Sequence, residues 1–282
     1  MKNDTNQPKV SIMLCVYNAQ AFISESINSI FQQSFQDYEV VIVDDGSNDE
    51  TMNIINAYGD KRIRLIHNKH DYIGSLNKGL KACRGRYIAR MDADDIMLPS
   101  RIETQMNFME AHHDIAVCFS WAALFGANDG TIGVYAREQI NDANFWLLTG
   151  NLFIHPTAML RTEFIRNNGL RYKRYQYAED YKLWSDIARL GGGIYVIPKV
   201  LLNYRVSHNQ VSYKHHQEQK NTKLRIQQEI AETLINCLPV ERKNDILRTF
   251  NNLLKLNNQE LLQGDEVISF MFRILHRIYI LT

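Results

Sequence analysis

With 282 residues, 45% of them hydrophobic, the chain has apolar material for one large core, or for one domain with an appendage. Lys and Arg total 32 against 31 for Asp and Glu, so a formal charge of +1 excludes a general pull on nucleic acid and confines anion binding to a local site. Cys15, Cys83, Cys118 and Cys237 form no CxxC pair, which argues against a zinc site or a disulfide framework and fits a reducing compartment.

The polar start, MKNDTNQPKV, lacks the apolar stretch of a signal peptide, and no run approaches the roughly 20 apolar residues of a membrane span. Val10–Val16 is a compact apolar run, and Ile23, Ile27, Ile30 and Phe31 follow at helical spacing. Tyr38–Val43 is the second run; it ends in Asp44-Asp45-Gly46-Ser47 and precedes helix-spaced Ile54, Ile55 and Tyr58. Ile63–Ile66 leads to Ile73, Leu76 and Leu80, and Tyr87–Met91 leads to Pro99 at a helix start, then Ile102, Met106 and Met109. Continuous apolar runs predict strands buried on both faces, with helices as parallel crossovers: a doubly wound α/β sheet. Such sheets bind ligands at the carboxyl ends of their strands.

His155–Arg161 predicts a further strand, Ala178–Leu190 a helix opening with two acids and stopped by Gly191-Gly192-Gly193, and Ile194–Arg205 two short strands separated by Pro198. No linker-like composition interrupts this stretch, so residues 1–213 read as one domain with halves 1–125 and 126–213. From Lys214 glycine nearly vanishes. Leu224, Ile230, Leu234 and Leu238 line one helix and Ile246, Phe250, Leu253 and Leu254 a second. Val267–Ile280 is apolar around most of its circumference, with Arg273, His276 and Arg277 on the remaining side. Residues 214–282 are therefore a helical appendage.

Four polar clusters fall at strand ends or helix starts. Tyr17-Asn18 could stack on a base and shape a turn, or simply cap the core edge. Asp44-Asp45-Gly46-Ser47 with Asp49 could accept from a ribose or base N–H, or form an ordinary turn with Ser47 or Asp49 as N-cap. Asp92-Ala93-Asp94-Asp95 ends a buried strand, where crowded carboxylates resist ionisation and suit Mg²⁺ or Mn²⁺ holding a diphosphate. Asp92 and Asp94, two apart on an extended chain, are expected on one side, and Asp95 could turn away to cap the helix at Pro99. Glu179-Asp180 could merely complement a helix dipole, or supply a base for an alcohol. The phosphate cradles GxGxxG and GxxxxGK[ST], the GxSxG elbow and HExxH are all absent.

In this order the clusters resemble glycosyltransferase family 2 on the GT-A fold. The matching stretches are Val10–Asn18, Glu39–Ser47, Gly85–Asp95 and Ala178–Trp184, with weaker echoes in His155–Arg161 and Asn203–Ser212. The resemblance implies a GT-A-type, doubly wound, mostly parallel sheet, with 1–125 as the nucleotide-binding half, 126–213 as the acceptor half and the helical appendage beyond. It implies that Cys15, Tyr17 and Asp45 contact the nucleoside of a UDP-sugar, that Asn77 lies beside the donor, and that Asp92 and Asp94 form a DXD motif. In that motif Asp94 is the direct ligand of Mn²⁺ or Mg²⁺ and Asp92 faces the ribose or donor sugar. Asp180 becomes the general base, supported by Glu179, and Arg205 and His208 sit on a segment that folds over the diphosphate. Leu76 stands where many relatives carry Arg.

The implied reaction is inverting transfer to a hydroxyl of a saccharide or lipid-linked saccharide, as in bacterial surface-polysaccharide assembly. A catalytically silent sugar-nucleotide-binding scaffold and a sugar nucleotidyltransferase are the competing readings. The expected setting is the cytoplasm. The tail leaves two roles open: packing on the domain or a second subunit as a homodimer, and peripheral contact of residues 264–282 with the inner face of the membrane.

Overall fold

The computed structural model describes residues 7–127, 130–132, 143–207, 216–238 and 240–258, with isolated positions 266, 270, 271, 273 and 274. Strands β1 (Val10–Val16), β2 (Tyr38–Asp44), β3 (Ile63–His67) and β4 (Tyr87–Asp92) alternate with helices α1 (Ile23–Phe31), α2 (Thr51–Ala57) and α3 (Tyr72–Ala82). All four strands pair in parallel, in the order β3-β2-β1-β4. Every residue of β2 is buried, and so is all of β1 except the half-buried Cys15, because helices cover both faces. Side chains of β1 alternate between two cores. Met13 packs with α3 on one face, while Ile12 and Leu14 pack with α1 on the other. Gly79 lets α3 approach β1: a Cβ there would lie 2.7 Å from the sulfur of Met13.

The chain continues through β5 (Ile96–Met97), α4 (Arg101–Ala111), β6 (Ile115–Gly126), β7 (Gly130–Ile132), α5 (Ala143–Leu147), β8 (Met159–Arg161), α6 (Thr162–Asn167), α7 (Glu179–Arg189) and β9 (Gly193–Val206). The sheet runs on as β4-β8-β6-β9-β5, with β7 on β6. Strand β8 is antiparallel to both β4 and β6, and β9 is parallel to β6.

Two expected strands are corrected. Within His155–Arg161, His155–Thr157 is a 3-10 turn with Pro156 in its first positions, and only Met159–Arg161 pairs. Proline lacks the N–H a ladder needs and sits readily at a turn start. Ile194–Arg205 is one strand rather than two. The partner of Ser120 is Ile197 and that of Trp121 is Val200, so Pro198 falls in a register shift where its missing donor costs no ladder bond.

Helices α8 (His216–Asn236) and α9 (Val240–Asn258) form the described part of the appendage. Ile226, Ile230 and Leu234 of α8 share one core with Trp184 of α7, so this helix is packed on the sheet domain. Among the described residues no helix is long and apolar enough to cross a membrane. Most of 264–282, with the expected membrane contact, lies outside the described residues.

Candidate active site

Strand order reverses at β1, with β2 and β3 on one side and β4 on the other. Loops diverge at such a point and open a crevice outside the strand ends. Here it is a cleft of about 290 Å³ whose walls include Cys15, Tyr17, Asp45, Tyr72, Asp92 and Asp94. Cys15 and Asp92 meet there because they are register partners on β1 and β4. Burial pushes the Cys15 thiol up to about 12, so it is a neutral wall.

Asp45 is buried at the end of β2. Its Oδ1 accepts from Ser75 Oγ at 2.7 Å, from the Asp71 N–H at 2.7 Å and from Asn68 Nδ2 at 3.2 Å. Its Oδ2 lies 3.5 Å from His70 Nδ1, and the His70 ring sits 4.2 Å from the exposed Tyr17 ring, centroid to centroid. A carboxylate edge beside an aromatic pair can meet a planar base and its N–H groups. Asn18 holds the adjoining loop with φ 48, its side-chain oxygen accepting from the Asn48 N–H at 2.9 Å and its own N–H donating to Ser47 Oγ at 3.0 Å. Asn tolerates this left-handed backbone better than most residues.

Strand β4 ends at Asp92, and Ala93-Asp94 form a turn, so the strand alternation expected for Asp92 and Asp94 does not reach Asp94. The turn nevertheless keeps both on the cleft wall. Arg90, only 2% exposed, presents both terminal nitrogens to Asp92, with Nη1 to Oδ2 and Nη2 to Oδ1 at 2.5 Å each. Nη2 also donates to the Tyr72 hydroxyl at 2.9 Å. The Asp94 carboxyl is pushed up to about 6 by burial and by the charge of Asp92, against the opposing pull of Arg90 and Arg205. Asp95 caps no helix: α4 has Ser100 at its N-cap, and Asp95 Oδ1 instead accepts from the Arg205 N–H at 2.9 Å. Burial and the charges of Asp92 and Asp94 push Asp95 up to about 8.

Crowded carboxylates of this kind are what a bound divalent cation relieves. Both oxygens of Asp92 accept from Arg90, while Asp94 is the carboxylate of the turn that could hold Mg²⁺ or Mn²⁺, with Asp92 beside it. Among the described residues no three His, Cys, Asp or Glu side chains gather as ligands. One carboxylate with substrate phosphates and water suffices for Mg²⁺. Arg205 is clamped to this turn. Its Nε donates to the Asp94 carbonyl at 2.8 Å, Nη2 pairs with Glu25, and the guanidinium lies between Phe22 at 4.6 Å and Phe125 at 4.3 Å. His208 lies outside the described residues.

A second cleft, of about 530 Å³, runs between the 149–152 loop, the start of α7 and α8. Asp180 lines it from the first turn of α7. Its Oδ1 accepts from the Tyr181 N–H and its Oδ2 from Asn151 Nδ2, both at 2.7 Å. Burial raises the Asp180 pKa, and those two hydrogen bonds with the charge of Arg90 limit the rise. Burial and Asp180 push Glu179 up to about 7. Arg90 thus pulls down Asp94, Glu179 and Asp180 alike. Asn77 lies apart from both linings. Its Nδ2 donates to the Tyr172 carbonyl and its Oδ1 accepts from the Tyr172 N–H, each at 2.9 Å. The Tyr172 hydroxyl in turn meets His155 Nε2 at 2.9 Å.

The chain matches the family model for Glycosyl transferase family 2 over residues 11–169. It belongs to that family. An uncharacterized glycosyltransferase of Haemophilus influenzae is 35% identical over 256 residues, covering 84% of this chain and 78% of the relative. The Escherichia coli UDP-Glc:alpha-D-GlcNAc-diphosphoundecaprenol beta-1,3-glucosyltransferase WfaP is 32% identical over 187 residues, 64% of this chain and 71% of that protein. In three dimensions this glycosyltransferase resembles S. aureus TarS 1-349, crystallised with UDP-GlcNAc. The TM-score is 0.68 at 22% identity, covering 86% of this chain and 72% of that one, and this likeness identifies the fold as GT-A.

Of the residues expected to meet the donor, Cys15, Tyr17, Asp45, Asp92 and Asp94 come together in one cleft of the glycosyltransferase. Sequence reasoning missed Arg90, His70, Tyr72 and Asn151. Arg90 had a signal, since a lone charge inside a buried strand run demands a partner. His70 and Asn151 sit in loops with no pattern to single them out.

Proposed function

We propose that this enzyme is an inverting glycosyltransferase that moves a sugar from a UDP-sugar to a hydroxyl of a glycan or lipid-linked saccharide, with Asp180 as general base. One observation supports the reading above the rest: Cys15, Tyr17, Asp45, Asp92 and Asp94 converge on one cleft at the strand-order switch point, while Asp180, oriented by Asn151 and the Tyr181 N–H, lines the second cleft. UDP-GlcNAc bound to TarS and the acceptor in the name of WfaP support the donor and acceptor classes.

The nucleoside lies in the first cleft against Tyr17 and His70, with Asp45 accepting its N–H or hydroxyl groups. Asn151 and the Tyr181 N–H fix the orientation of the Asp180 carboxylate. As the acceptor oxygen attacks the anomeric carbon from the face opposite the nucleotide, its proton passes to Asp180 and the bond to the diphosphate breaks, which inverts the centre. Asp94 would hold a divalent cation, which would neutralise charge on the departing diphosphate.

The test is a screen of UDP-sugars for UDP release in the presence of acceptor extract, with Mn²⁺ or with EDTA. Release that EDTA stops and Mn²⁺ restores is expected, with inverted anomeric configuration in the product. Full turnover in chelator would remove the cation, a retained configuration would remove the single displacement, and no release from any UDP-sugar would remove UDP as the donor nucleotide.

A further inference from the structure

We infer that Tyr72 is a specificity-determining residue that reads one hydroxyl of the sugar nucleotide, its phenol O–H donating to that hydroxyl's oxygen. The inference rests on the assignment of the first cleft to a UDP-sugar. Tyr72 is the first residue of α3, and its ring is 41% exposed on the wall of that cleft. Asp71 fixes its backbone: the Asp71 N–H donates to Asp45 Oδ1 at 2.7 Å, and Asp71 Oδ1 caps the helix by accepting from the Gly74 N–H at 3.2 Å.

The Tyr72 oxygen accepts from Arg90 Nη2 at 2.9 Å. Arginine has no accepting atom, so this contact leaves the phenol proton uncommitted. Among the described residues nothing accepts that proton. Burial, against the pull of Arg90, raises the Tyr72 hydroxyl well above its usual value, so the group stays protonated. A hydroxyl that accepts from a cation is polarised and donates more strongly.

The neighbour of that proton decides what it can meet. Arg90 Nη2 binds the Tyr72 oxygen and Asp92 Oδ1 together, so a neutral donor and a carboxylate stand side by side. Asp92 is gripped by Arg90, yet its side chain is 32% exposed, and each of its oxygens keeps a second lone pair. A donor beside an acceptor matches a hydroxyl, which accepts and donates from one atom. A phosphate oxygen only accepts, and the Asp92 charge repels it. An acetamido group splits its donor and acceptor between two atoms. The two sources of a hydroxyl are the ribose and the transferred sugar.

The test titrates the full-length parent and Tyr72→Phe, in Mn²⁺ and without acceptor. The probes are UDP, its 2′-deoxy and 3′-deoxy forms, and whichever of UDP-glucose, UDP-galactose and UDP-N-acetylglucosamine binds tightest, with the monodeoxy analogues of its sugar. Tyr72→Phe keeps the ring and should weaken binding of the UDP-sugar about three- to tenfold. One analogue, the one that lacks the hydroxyl in question, should bind parent and variant alike, and the others should all show the loss. If that analogue is a deoxy sugar and UDP binds both proteins alike, the transferred sugar is read; if it is a deoxyribose form, the ribose is read. A loss shared by every analogue would mean that Tyr72 acts only by holding Arg90 and Asp92, and it overturns the inference, as does a variant that binds every probe like the parent. Either result leaves the donor assignment standing. A parent that binds neither UDP nor any of the three UDP-sugars ends the donor assignment, and the inference with it. An unchanged unfolding midpoint shows that the variant is folded.

Discussion

Arg90 and Asp92 stand two apart on β4, and the guanidinium of one grips both carboxylate oxygens of the other at 2.5 Å. A buried fork of this kind fixes orientation as well as charge. It also leaves Asp92 as an anchored carboxylate whose negative charge is felt by Asp94, Asp95 and Glu179.

Arg90→Lys keeps the charge and loses the fork. We expect kcat to fall at least about tenfold with little movement of the pH profile, because a point charge cannot hold both oxygens. Arg90→Gln removes the charge that pulls down Asp180 and Glu179, so the acid limb of kcat/KM should also move to higher pH. Identical pH profiles for the two variants would show that Arg90 has no electrostatic role.

Burial raises both Asp180 and Glu179, the latter to about 7. A base works only when ionised, so transfer should fall as pH drops through the apparent pKa of the pair, and the limb belongs to both groups. Asp180→Asn should cut kcat about 10²–10⁴-fold with UDP affinity nearly intact. Single-turnover kinetics beside UDP titration separates the two effects, and near-normal turnover in that variant removes Asp180 as the base.

Asn77 spends both ends of its amide on the backbone of Tyr172. Asn77→Ala leaves those backbone groups unpaired, at about 1–3 kcal/mol each where they stay dry. The expected result is a lower unfolding midpoint with UDP affinity unchanged within about twofold, on a scale where tenfold is about 1.4 kcal/mol. A much weaker UDP complex at unchanged stability would return Asn77 to the donor.

Glu39 is buried at the amino end of β2, where it accepts from Ser11 Oγ at 2.7 Å, the Arg84 N–H at 2.7 Å and Arg64 Nη1 at 2.8 Å. Burial pushes its pKa up, but the hydrogen bonds and arginines more than offset this and hold it below the ordinary 4.5. A depressed folded pKa means the stabilisation is complete above 4.5 and is lost as pH falls through the folded value. Glu39→Gln should cost about 1–3 kcal/mol at neutral pH, the arginines being free to resolvate. In denaturant melts, the gap between parent and variant should close in acid.

Much of this was legible in the chain. Four apolar runs named β1 to β4 because strands buried on both faces need continuous hydrophobics, and the acids at 45, 92, 94 and 180 fell at strand ends or a helix start. The pairing of β8 between β4 and β6 was not legible, since a three-residue strand leaves almost no periodicity. Nor was the single β9, because Pro198 imitates a break.

By itself the sequence determined strands β1 to β4, the helices that follow each of them, and which side chains stand at their carboxyl edge, since periodicity and turn chemistry act over a few residues. Only the tertiary structure decided that Asn77 would brace Tyr172 across 95 positions and that Asn151 would aim Asp180 across 29. Closing a longer loop costs little extra entropy, so spacing along the chain barely restricts which distant residues meet. Packing makes that selection.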